Sequence, residues 1–339
     1  MTTFEPVPES RPLRMVFLGC GGITARHAGL LRRWPGVECA FASRSADRAR
    51  TYQHRFRGAA CYASYQAALE DPAVDAVFVA TPPDSHLPLA EEALRQGKHV
   101  IVEKPPFLST ADFDRVAALA RNQRRQLMVA ENYFYKPLRQ ALLSVLSRPD
   151  IGTLRFLVAN AAKRQRTGDW RDEAATAGGG ALFEGGIHWV SLLGNLGLEV
   201  RRVSGFRPGP TDPAAPERAM QVVVEYADGP VATLLYAWDV PGILNGLRLS
   251  SVYGTAGAVT FESNGLFLLV RGHRLRLVFP GFRDITGVRA MFRDFLRALH
   301  TGLPPAYDMD TARRDLLHVE QACRAADETP HIPVSPSRK

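Results

Sequence analysis

Arg14-Met15-Val16-Phe17-Leu18-Gly19-Cys20-Gly21-Gly22-Ile23-Thr24-Ala25-Arg26-His27 sets the architecture of this chain. Five residues, Arg14–Leu18, form a short apolar run that ends at glycine, as a buried strand should. Gly19 permits a tight turn off that strand, and Gly21 allows the backbone to approach an anion closely. The helix expected next would point its N–H groups and positive dipole end at the same place. Thr24 stands where a third glycine would complete G-x-G-x-x-G. The turn residues Gly19, Cys20, Gly21, Gly22, Ile23 and Thr24 are therefore read as a dinucleotide pyrophosphate site, on the strength of their place after a first strand.

Outward from that turn, strands and helices alternate. Apolar runs are expected as strands at Val37–Ala42, Ala59–Tyr62, Val74–Ala80, His99–Val102 and Leu127–Ala130. Helical stretches separate them, with Ser45 placed to cap one and Gly97 to end another. Short strands in strict alternation with helices imply a parallel, doubly wound sheet. After the second strand comes Ser43-Arg44-Ser45, where an acidic residue would suit the ribose 2′-OH of NAD(H). A hydroxyl and a guanidinium suit a 2′-phosphate instead. NADP(H) is thus favoured over NAD(H), with Ser43, Arg44 and Arg48 assigned to the adenosine end. Stacking of Arg44 on adenine, with little discrimination, is the alternative.

Beyond residue 131 the pattern changes to longer, alternating strand candidates at Thr153–Ala162, Gln221–Ala227, Val231–Trp238, Arg248–Tyr253, Ala258–Glu262, Leu266–Val270 and Leu275–Phe279. Asp228-Gly229 and Asn264-Gly265 are hairpin turns between them. A long insertion, Lys163 to Leu196, ends in a helical segment. The fold class expected is α/β: an N-terminal Rossmann parallel sheet, then an α+β domain with an open, mainly antiparallel sheet. Residues 1–13 are expected as a flexible tail, 14–131 as the dinucleotide domain, and 132–308 as the substrate and oligomerisation domain. Residues 309–330 are expected as a C-terminal helix that packs back on the first domain.

Composition narrows the function classes. The chain has 339 residues, 46% of them hydrophobic, and a net charge of +8. The arginines are scattered, and no nucleic-acid-binding pattern accompanies them, so no nucleic-acid partner is expected. No apolar run approaches the ~20 residues needed to span a bilayer, so no membrane partner is expected. The opening residues hold no apolar core of a signal peptide. Cys20, Cys39, Cys61 and Cys323 form no C-x-x-C pair or zinc spacing. Reduced core thiols in a cytoplasmic protein are the expectation.

Further motifs follow in order: Val74-Asp75-Ala76-Val77, Thr81-Pro82-Pro83 with His86, Glu103-Lys104-Pro105, Trp170-Arg171, Gly178-Gly179-Gly180-Ala181-Leu182 and Gly186-Ile187-His188. Together with the opening turn they resemble the Gfo/Idh/MocA family of glucose–fructose oxidoreductase, inositol dehydrogenase and relatives. The resemblance covers nearly the whole chain. It implies a Rossmann domain followed by an open αβ domain, a sugar, polyol or related substrate, and a homodimer or homotetramer formed through the C-terminal sheet.

The chemistry of alcohol oxidation or carbonyl reduction needs a proton carrier and a cation at the developing alkoxide. Lys104 follows the strand His99–Val102, at the carboxyl edge where ligands sit in such sheets. With Glu103 beside it and Pro105 after it, Lys104 is the expected polariser or proton relay. Glu184 and His188 are four apart on an expected helix, so they share a face, with Ser191 three further on. His188 is the candidate acid/base and Glu184 its partner; a metal held by these two lacks a third ligand, so none is expected. The resemblance places aspartate more usually where Glu184 stands, and often where Ser191 stands. Glutamate extends the carboxylate by about 1.5 Å, and a ~1 Å displacement can cost about a hundredfold in rate.

The remaining candidates carry two readings each. Thr81, Pro82 and Pro83 are assigned to the cofactor; His86 is a helix-start residue first and a cofactor contact second. Trp170 and Arg171 meet the nicotinamide or substrate, or pack a loop. Lys163, with Arg164 and Arg166, binds an anionic substrate or lines a solvated loop. Asn132, Tyr133 and Tyr135 offer polar contacts to cofactor or substrate. Tyr236 and Trp238 form a carbohydrate platform or interface packing. Two other functions stay open: a dinucleotide-binding sensor without turnover, and redox-neutral glycoside processing with bound NAD.

Overall fold

The computed structural model describes residues 3–165, 168, 172–173, 176, 179–209, 215–242 and 246–328. They form two compact units. The first gathers the chain up to Glu131 together with Met291–Arg313; the second gathers Asn132–Ala290 and the chain from Arg314.

The first unit is built on β1 (Leu13–Leu18), β2 (Val37–Ala42), β3 (Ala60–Tyr62), β4 (Ala76–Val79), β5 (His99–Val102) and β6 (Leu127–Val129). Their order is β3-β2-β1-β4-β5-β6 and every pair is parallel. Met15 to Leu18, Ala76 to Val79 and Val100 to Val102 are fully buried. That is why these strands read as continuous apolar runs: helices cover both faces. Phe17 lies between Phe41 and Phe78, with ring centroids 5.8 and 5.1 Å away. The chain order reverses between β1 and β4, which makes the carboxyl ends of those strands the switch point of the sheet.

The helices between these strands are α1 (Gly22–Leu31), α2 (Ala46–Phe56), α3 (Tyr65–Glu70), α4 (His86–Arg95) and α5 (Thr110–Asn122). Serine hydroxyls cap three of them: Ser45 accepts from Arg48 N, Ser64 from Ala67 N and Ser109 from Asp112 N. By contrast, α1 begins at Gly21 with no side-chain cap.

Two domain expectations are corrected. The first 13 residues are not a loose tail from Phe4 onward: Phe4 and Val7 are 3% and 4% exposed. Their backbone N–H groups donate to Gly302 O and Leu299 O, at 2.9 and 2.8 Å. The acceptors belong to or follow α8 (Val288–Thr301). From Met291 this helix belongs to the first unit, not the second, because Met291, Phe292, Phe295 and Leu299 are its buried face. The last helix, α9 (Met309–Glu328), gives only its start to the first unit, through Arg121–Asp310 and Arg313–Asp114 pairs. From Arg314 it belongs to the second, where the backbone of Ala322 lies against Gly205 so closely that a Cβ there would meet Ala322 O at 2.1 Å.

The second unit carries β7 (Leu154–Ala162), β8 (Val200–Phe206), β9 (Ala219–Tyr226), β10 (Val231–Ala237), β11 (Leu249–Gly254), β12 (Ala258–Glu262), β13 (Leu268–Arg271) and β14 (Leu275–Val278). The sheet runs β14-β13-β12-β11-β7-β10-β9-β8 and is antiparallel except for the parallel pair β7–β10. Strand β8 has no counterpart among the sequence expectations. It is an edge strand whose Arg201 and Arg202 face solvent and whose inward Gly205 offers no apolar side chain. The two hairpin glycines adopt left-handed backbones, Gly229 at φ 97° and Gly265 at φ 99°. The helices here are α6 (Pro137–Leu146) and α7 (Ile187–Gly194), the latter entered through a π-helical turn, Leu182–Gly186.

Candidate functional site

In the first unit, the turn after β1 is shaped by its glycines. Gly19 has φ +101°, and a Cβ there would stand 2.9 Å from Ala80 O, at the end of β4. A Cβ at Gly21 or Gly22 would meet no protein atom within 4 Å, so the face above α1 is open to a ligand that approaches backbone. Thr24 explains the departure from three glycines. It is fully buried and its hydroxyl donates to Gly19 O at 2.7 Å, so the side chain locks the turn from beneath. Cys20 is buried, which pushes its thiol up to about 11, and its Sγ leans on Ala42 O at 3.7 Å. It contributes backbone to the turn rather than a reactive sulfur.

Where β2 ends, Ser43 is buried and its Oγ accepts from Ser45 N at 3.2 Å, which folds the loop. Arg44 and Arg48 are exposed. Their charges reach inward, Arg48 to the Cys20 thiol and Arg44 to the Tyr65 hydroxyl. Two guanidiniums therefore put positive potential beside the open turn.

At the carboxyl end of β5, Glu103 is 7% exposed and accepts from His27 Nε2 at 2.8 Å. Burial alone would raise its carboxyl, but the His27 hydrogen bond, the neighbouring Lys104 charge and the Lys104 backbone N–H outweigh burial and hold it below the usual range. Its Oε2 accepts that Lys104 N–H at 3.2 Å. Lys104 is half-buried, and the Lys104–Pro105 peptide is cis. His86, the first residue of α4, is 1% exposed. Its Nδ1 faces Pro105 O and Pro106 O at 3.0 and 3.1 Å, and its Nε2 faces Thr81 O at 2.8 Å. Both ring nitrogens thus face backbone carbonyls, and His86 ties two loops together. The Thr81-Pro82-Pro83 turn is held by Ser85 Oγ, which donates to Thr81 Oγ1 and Pro82 O.

The second unit presents a different constellation. The π turn Leu182–Gly186 carries Glu184, which is 7% exposed. Of the ten residues Ala181–Val190, His188 alone is not buried. The extra residue per turn in a π segment replaces the regular α-helix expected here. A side chain from β10 packs against it. Tyr236 lies so close that a Cβ at Gly185 would be 2.1 Å from its hydroxyl, and one at Gly186 would be 3.4 Å from its ring. Trp238 Nε1 donates to the Tyr236 hydroxyl at 3.2 Å. Burial raises that phenol well above its ordinary value, and the Glu184 charge raises it further. The start of the segment is fixed by Glu217, whose Oε1 accepts from Leu182 N at 3.0 Å and whose backbone O accepts from Ala181 N at 2.8 Å.

The His188 ring stacks on Tyr133, centroids 4.5 Å apart and planes 12° from parallel. Lys136 Nζ sits 4.1 Å from the centroid of the same Tyr133 ring, and Trp189 meets its edge at 5.7 Å. Asn132 Nδ2 donates to Thr286 O at 2.6 Å, a contact inside this unit.

Family models match both parts of this arrangement. The model described as oxidoreductase family, NAD-binding Rossmann fold, matches residues 13–131, and that of the GFO/IDH/MocA C-terminal domain matches residues 140–260. The chain belongs to the Gfo/Idh/MocA family. Among curated members of the family, a dTDP-3,4-didehydro-2,6-dideoxy-alpha-D-glucose 3-reductase from Streptomyces violaceoruber is 37% identical over 196 residues, covering 56% of each chain. A trans-1,2-dihydrobenzene-1,2-diol dehydrogenase from Mus musculus is 31% identical over 188 residues, 53% of this chain and 55% of that one. The chain thus spans little more than half the length of these relatives. Among solved structures, GenD2 from gentamicin A biosynthesis, in complex with NAD, superposes with a TM-score of 0.81 at 25% identity, over 96% of this chain and 97% of that one. A 3-ketoreductase from Actinomadura kijaniata, in complex with NADP and TDP-benzene, shares the fold, with a TM-score of 0.82 at 23% identity, over 93% of this chain and 98% of that one.

Within this family framework, the sequence-expected residues separate into two groups. Gly19–Thr24, Ser43, Arg44, Arg48, Thr81–Pro83, His86, Glu103 and Lys104 all gather at one edge of the first sheet. Glu184, His188, Tyr133 and Tyr135 belong to the second unit, as do Asn132 and Lys163. Lys163 donates its backbone N–H to Ala237 O at 3.0 Å, and its side chain is half-buried. Tyr236 and Trp238 are 5% and 1% exposed, so they are packing residues and no carbohydrate platform. Trp170 and Arg171 lie outside the described residues, as do Arg166 and Gly178. Among the described residues no His, Cys, Asp and Glu cluster is arranged to hold a metal, and no helix is long and apolar enough to cross a membrane. Sequence reasoning passed over Lys136 and the partnership of His27 with Glu103. A histidine on the inner face of α1 and a buried acid after β5 were both visible, but nothing in the sequence pairs residues 76 positions apart.

Proposed function

We propose that this protein is a nicotinamide-dependent oxidoreductase that moves hydride between NADP(H) and a secondary alcohol or ketone of a carbohydrate-like small molecule. The observation that carries the proposal is the edge of the first sheet. An uncapped α1 behind the open Gly21-Gly22 face and a lysine held by a buried carboxylate stand on the same side of one parallel sheet. The bound nicotinamide would supply or accept the hydride. Gly21, Gly22 and the first N–H groups of α1 would take the pyrophosphate. Arg44 and Arg48 would take a 2′-phosphate, which favours NADP(H) over NAD(H).

Lys104 is assigned the developing oxyanion: its ammonium stabilises charge on the substrate oxygen and passes a proton there. Glu103 fixes the lysine backbone and stays ionised. His188 is assigned acid/base work, with its ring oriented by Tyr133, and Glu184 is assigned as its partner. Named relatives reduce a keto group of a nucleotide-linked deoxysugar or oxidise a cyclic diol. Ketosugars, free and nucleotide-linked, are therefore the first substrates to try.

Fluorescence titration tests the cofactor end: NADPH should bind more tightly than NADH, and Arg44→Ala should cut that preference roughly tenfold, the size of one lost charge-assisted contact. A clear preference for NADH overturns the assignment. Loss of the reduced-nicotinamide absorbance band with a ketosugar panel tests turnover. A protein that binds the cofactor and turns over no member of the panel would instead be the dinucleotide sensor.

The second sheet also supports a homo-oligomer. On its outer face Phe156 and Tyr253 are register partners, exposed at 59% and 46%, and Leu269 and Leu277 pair on neighbouring strands. Exposed apolar pairs on one sheet face mark an association surface. Sedimentation should show a dimer or tetramer, and Phe156→Glu should shift it toward monomer.

A further inference from the structure

Glu103 still belongs to the sheet by its backbone: its N–H donates to Val79 O at 3.0 Å. The next N–H, that of Lys104, has left the ladder and points to the Glu103 carboxylate, 3.2 Å from Oε2. The acceptor that fixes the lysine backbone is thus a side chain with several rotatable bonds. Its rotamer has to be held from elsewhere.

His27 holds it. Its Nε2 lies 2.8 Å from Glu103 Oε1. An ionised carboxylate only accepts, so His27 donates from Nε2 whatever its Nδ1 carries. The rest of the ring is set in apolar packing. His27 is 3% exposed, and Phe78 and Phe292 lie against it with ring centroids 5.1 and 5.2 Å away. Its Nδ1 is buried without a hydrogen-bond partner among the described residues. A polar atom buried unpaired costs stability, and an apolar side chain would fill this space without that cost. A histidine here is therefore explained by its one engaged atom, the Nε2 donor.

The place of His27 in the chain gives the contact its meaning. It stands on the buried face of α1, the helix whose uncapped start opens on the Gly21-Gly22 face. One hydrogen-bonded path runs from α1 through His27 and Glu103 to the Lys104 N–H. It joins the two ends of the candidate site in the first unit, the glycine turn and the lysine.

We propose that His27 positions Lys104: it ties the helix assigned to the pyrophosphate to the carboxylate that holds the lysine backbone, and so sets the lysine relative to the cofactor. It rests on the roles given above to α1 and Lys104. His27 acts through Glu103, as a positioning residue.

The test reads the lysine backbone in the cofactor-free protein. The chain has five lysines, so ¹⁵N-lysine labelling gives five amide signals, and Lys104→Arg assigns the one needed. In His27→Leu, exchange of the Lys104 N–H with solvent should speed up about tenfold or more. The Lys98 N–H, which donates to Ala93 O at the end of α4, should change less than about threefold. His27→Gln keeps an N–H donor at the reach of Nε2 and should hold Lys104 exchange within about threefold of wild type. Unchanged exchange in His27→Leu overturns the proposal. So does a rise that Lys98 shares, which marks a looser fold and no positioning, and so does exchange in His27→Gln as fast as in His27→Leu. If His27→Leu does not fold, His27→Asn takes its place in the comparison, since its amide ends short of Glu103. In activity, His27→Leu should lower kcat for ketosugar reduction about tenfold or more. The Kd for NADPH should stay within about threefold, because Gly21 and Gly22 are untouched. A wild-type kcat also overturns the proposal. If Lys104→Ala keeps full activity, the role of Lys104 fails, and Lys104 exchange still shows whether His27 holds its backbone.

Discussion

The two units each hold a glycine-dependent turn beside candidate chemistry, and the glycines serve opposite purposes. At Gly19 the backbone itself is unusual, with φ +101°, and the neighbour is the main-chain Ala80 O. At Gly185 the backbone shows no left-handed angle, and the neighbour is the hydroxyl end of a side chain, Tyr236. The first glycine is needed for conformation and the second for space. A conformational glycine sits in a local pattern with its strand and helix, so it can be read along the chain. A space-making glycine answers to a residue 51 positions away, and nothing local marks it.

That contrast can be broken by substitution. Gly19→Ala should cost about 3–5 kcal/mol, since left-handed strain and a backbone clash add, and no second change should restore it. Thermal unfolding with and without NADPH reads both stability and binding. Acid acts on both units through buried histidines, His99 in the first and His318 in the second. Burial pushes each to about 4, below the ordinary 6.5 of a histidine. The native protein then binds fewer protons than the unfolded chain. Stability is complete above about pH 6.5 and is lost as pH falls toward 4, by up to about 3 kcal/mol per ring. Thermal midpoints across that range should fall, and His318→Gln should flatten part of the slope; a flat profile in the wild type contradicts the account.

Gly185→Ala should cost about 2 kcal/mol by forcing Tyr236 aside. Here a second change should help: in a Tyr236→Phe background the hydroxyl is gone, and the double mutant should recover at least ~1 kcal/mol relative to additivity. Strict additivity would show that Tyr236 does not shape the π turn. The smallest effect is expected at Thr24. Thr24→Val keeps the volume and removes the hydroxyl donated to Gly19 O, for about 1 kcal/mol, with a measurable loss in NADPH affinity if the turn loosens.

Legibility in the sequence follows the same division. The parallel sheet was readable because strands buried on both faces leave continuous apolar runs, as in Ala76–Val79. The hairpins at Gly229 and Gly265 were readable from local turn chemistry. Strand β8 was not, since an edge strand with Arg201, Arg202 and Gly205 lacks the apolar alternation that marks its neighbours. The passage of Met291–Leu299 to the first unit was hidden too, because an amphipathic helix shows that it has a buried face and not what covers it. At the candidate site, Lys104 and His188 were visible as residue types in motifs. The partners that constrain them, His27 through Glu103 and Tyr133 with Lys136, depend on long-range packing. Tyr236 and Trp238 misled for the same reason: two aromatics on one strand face look alike in sequence whether they meet solvent or a helix.

The central claim is that Lys104 handles the proton while the nicotinamide handles the hydride. Its most direct test is the stopped-flow rate of NADPH oxidation by wild type and Lys104→Ala, at saturating ketosugar, with NADPH affinity measured on the same samples. The account predicts a loss of at least a hundredfold in the rate at a Kd within about threefold of wild type. A Lys104→Ala protein that oxidises NADPH as fast as wild type would contradict it.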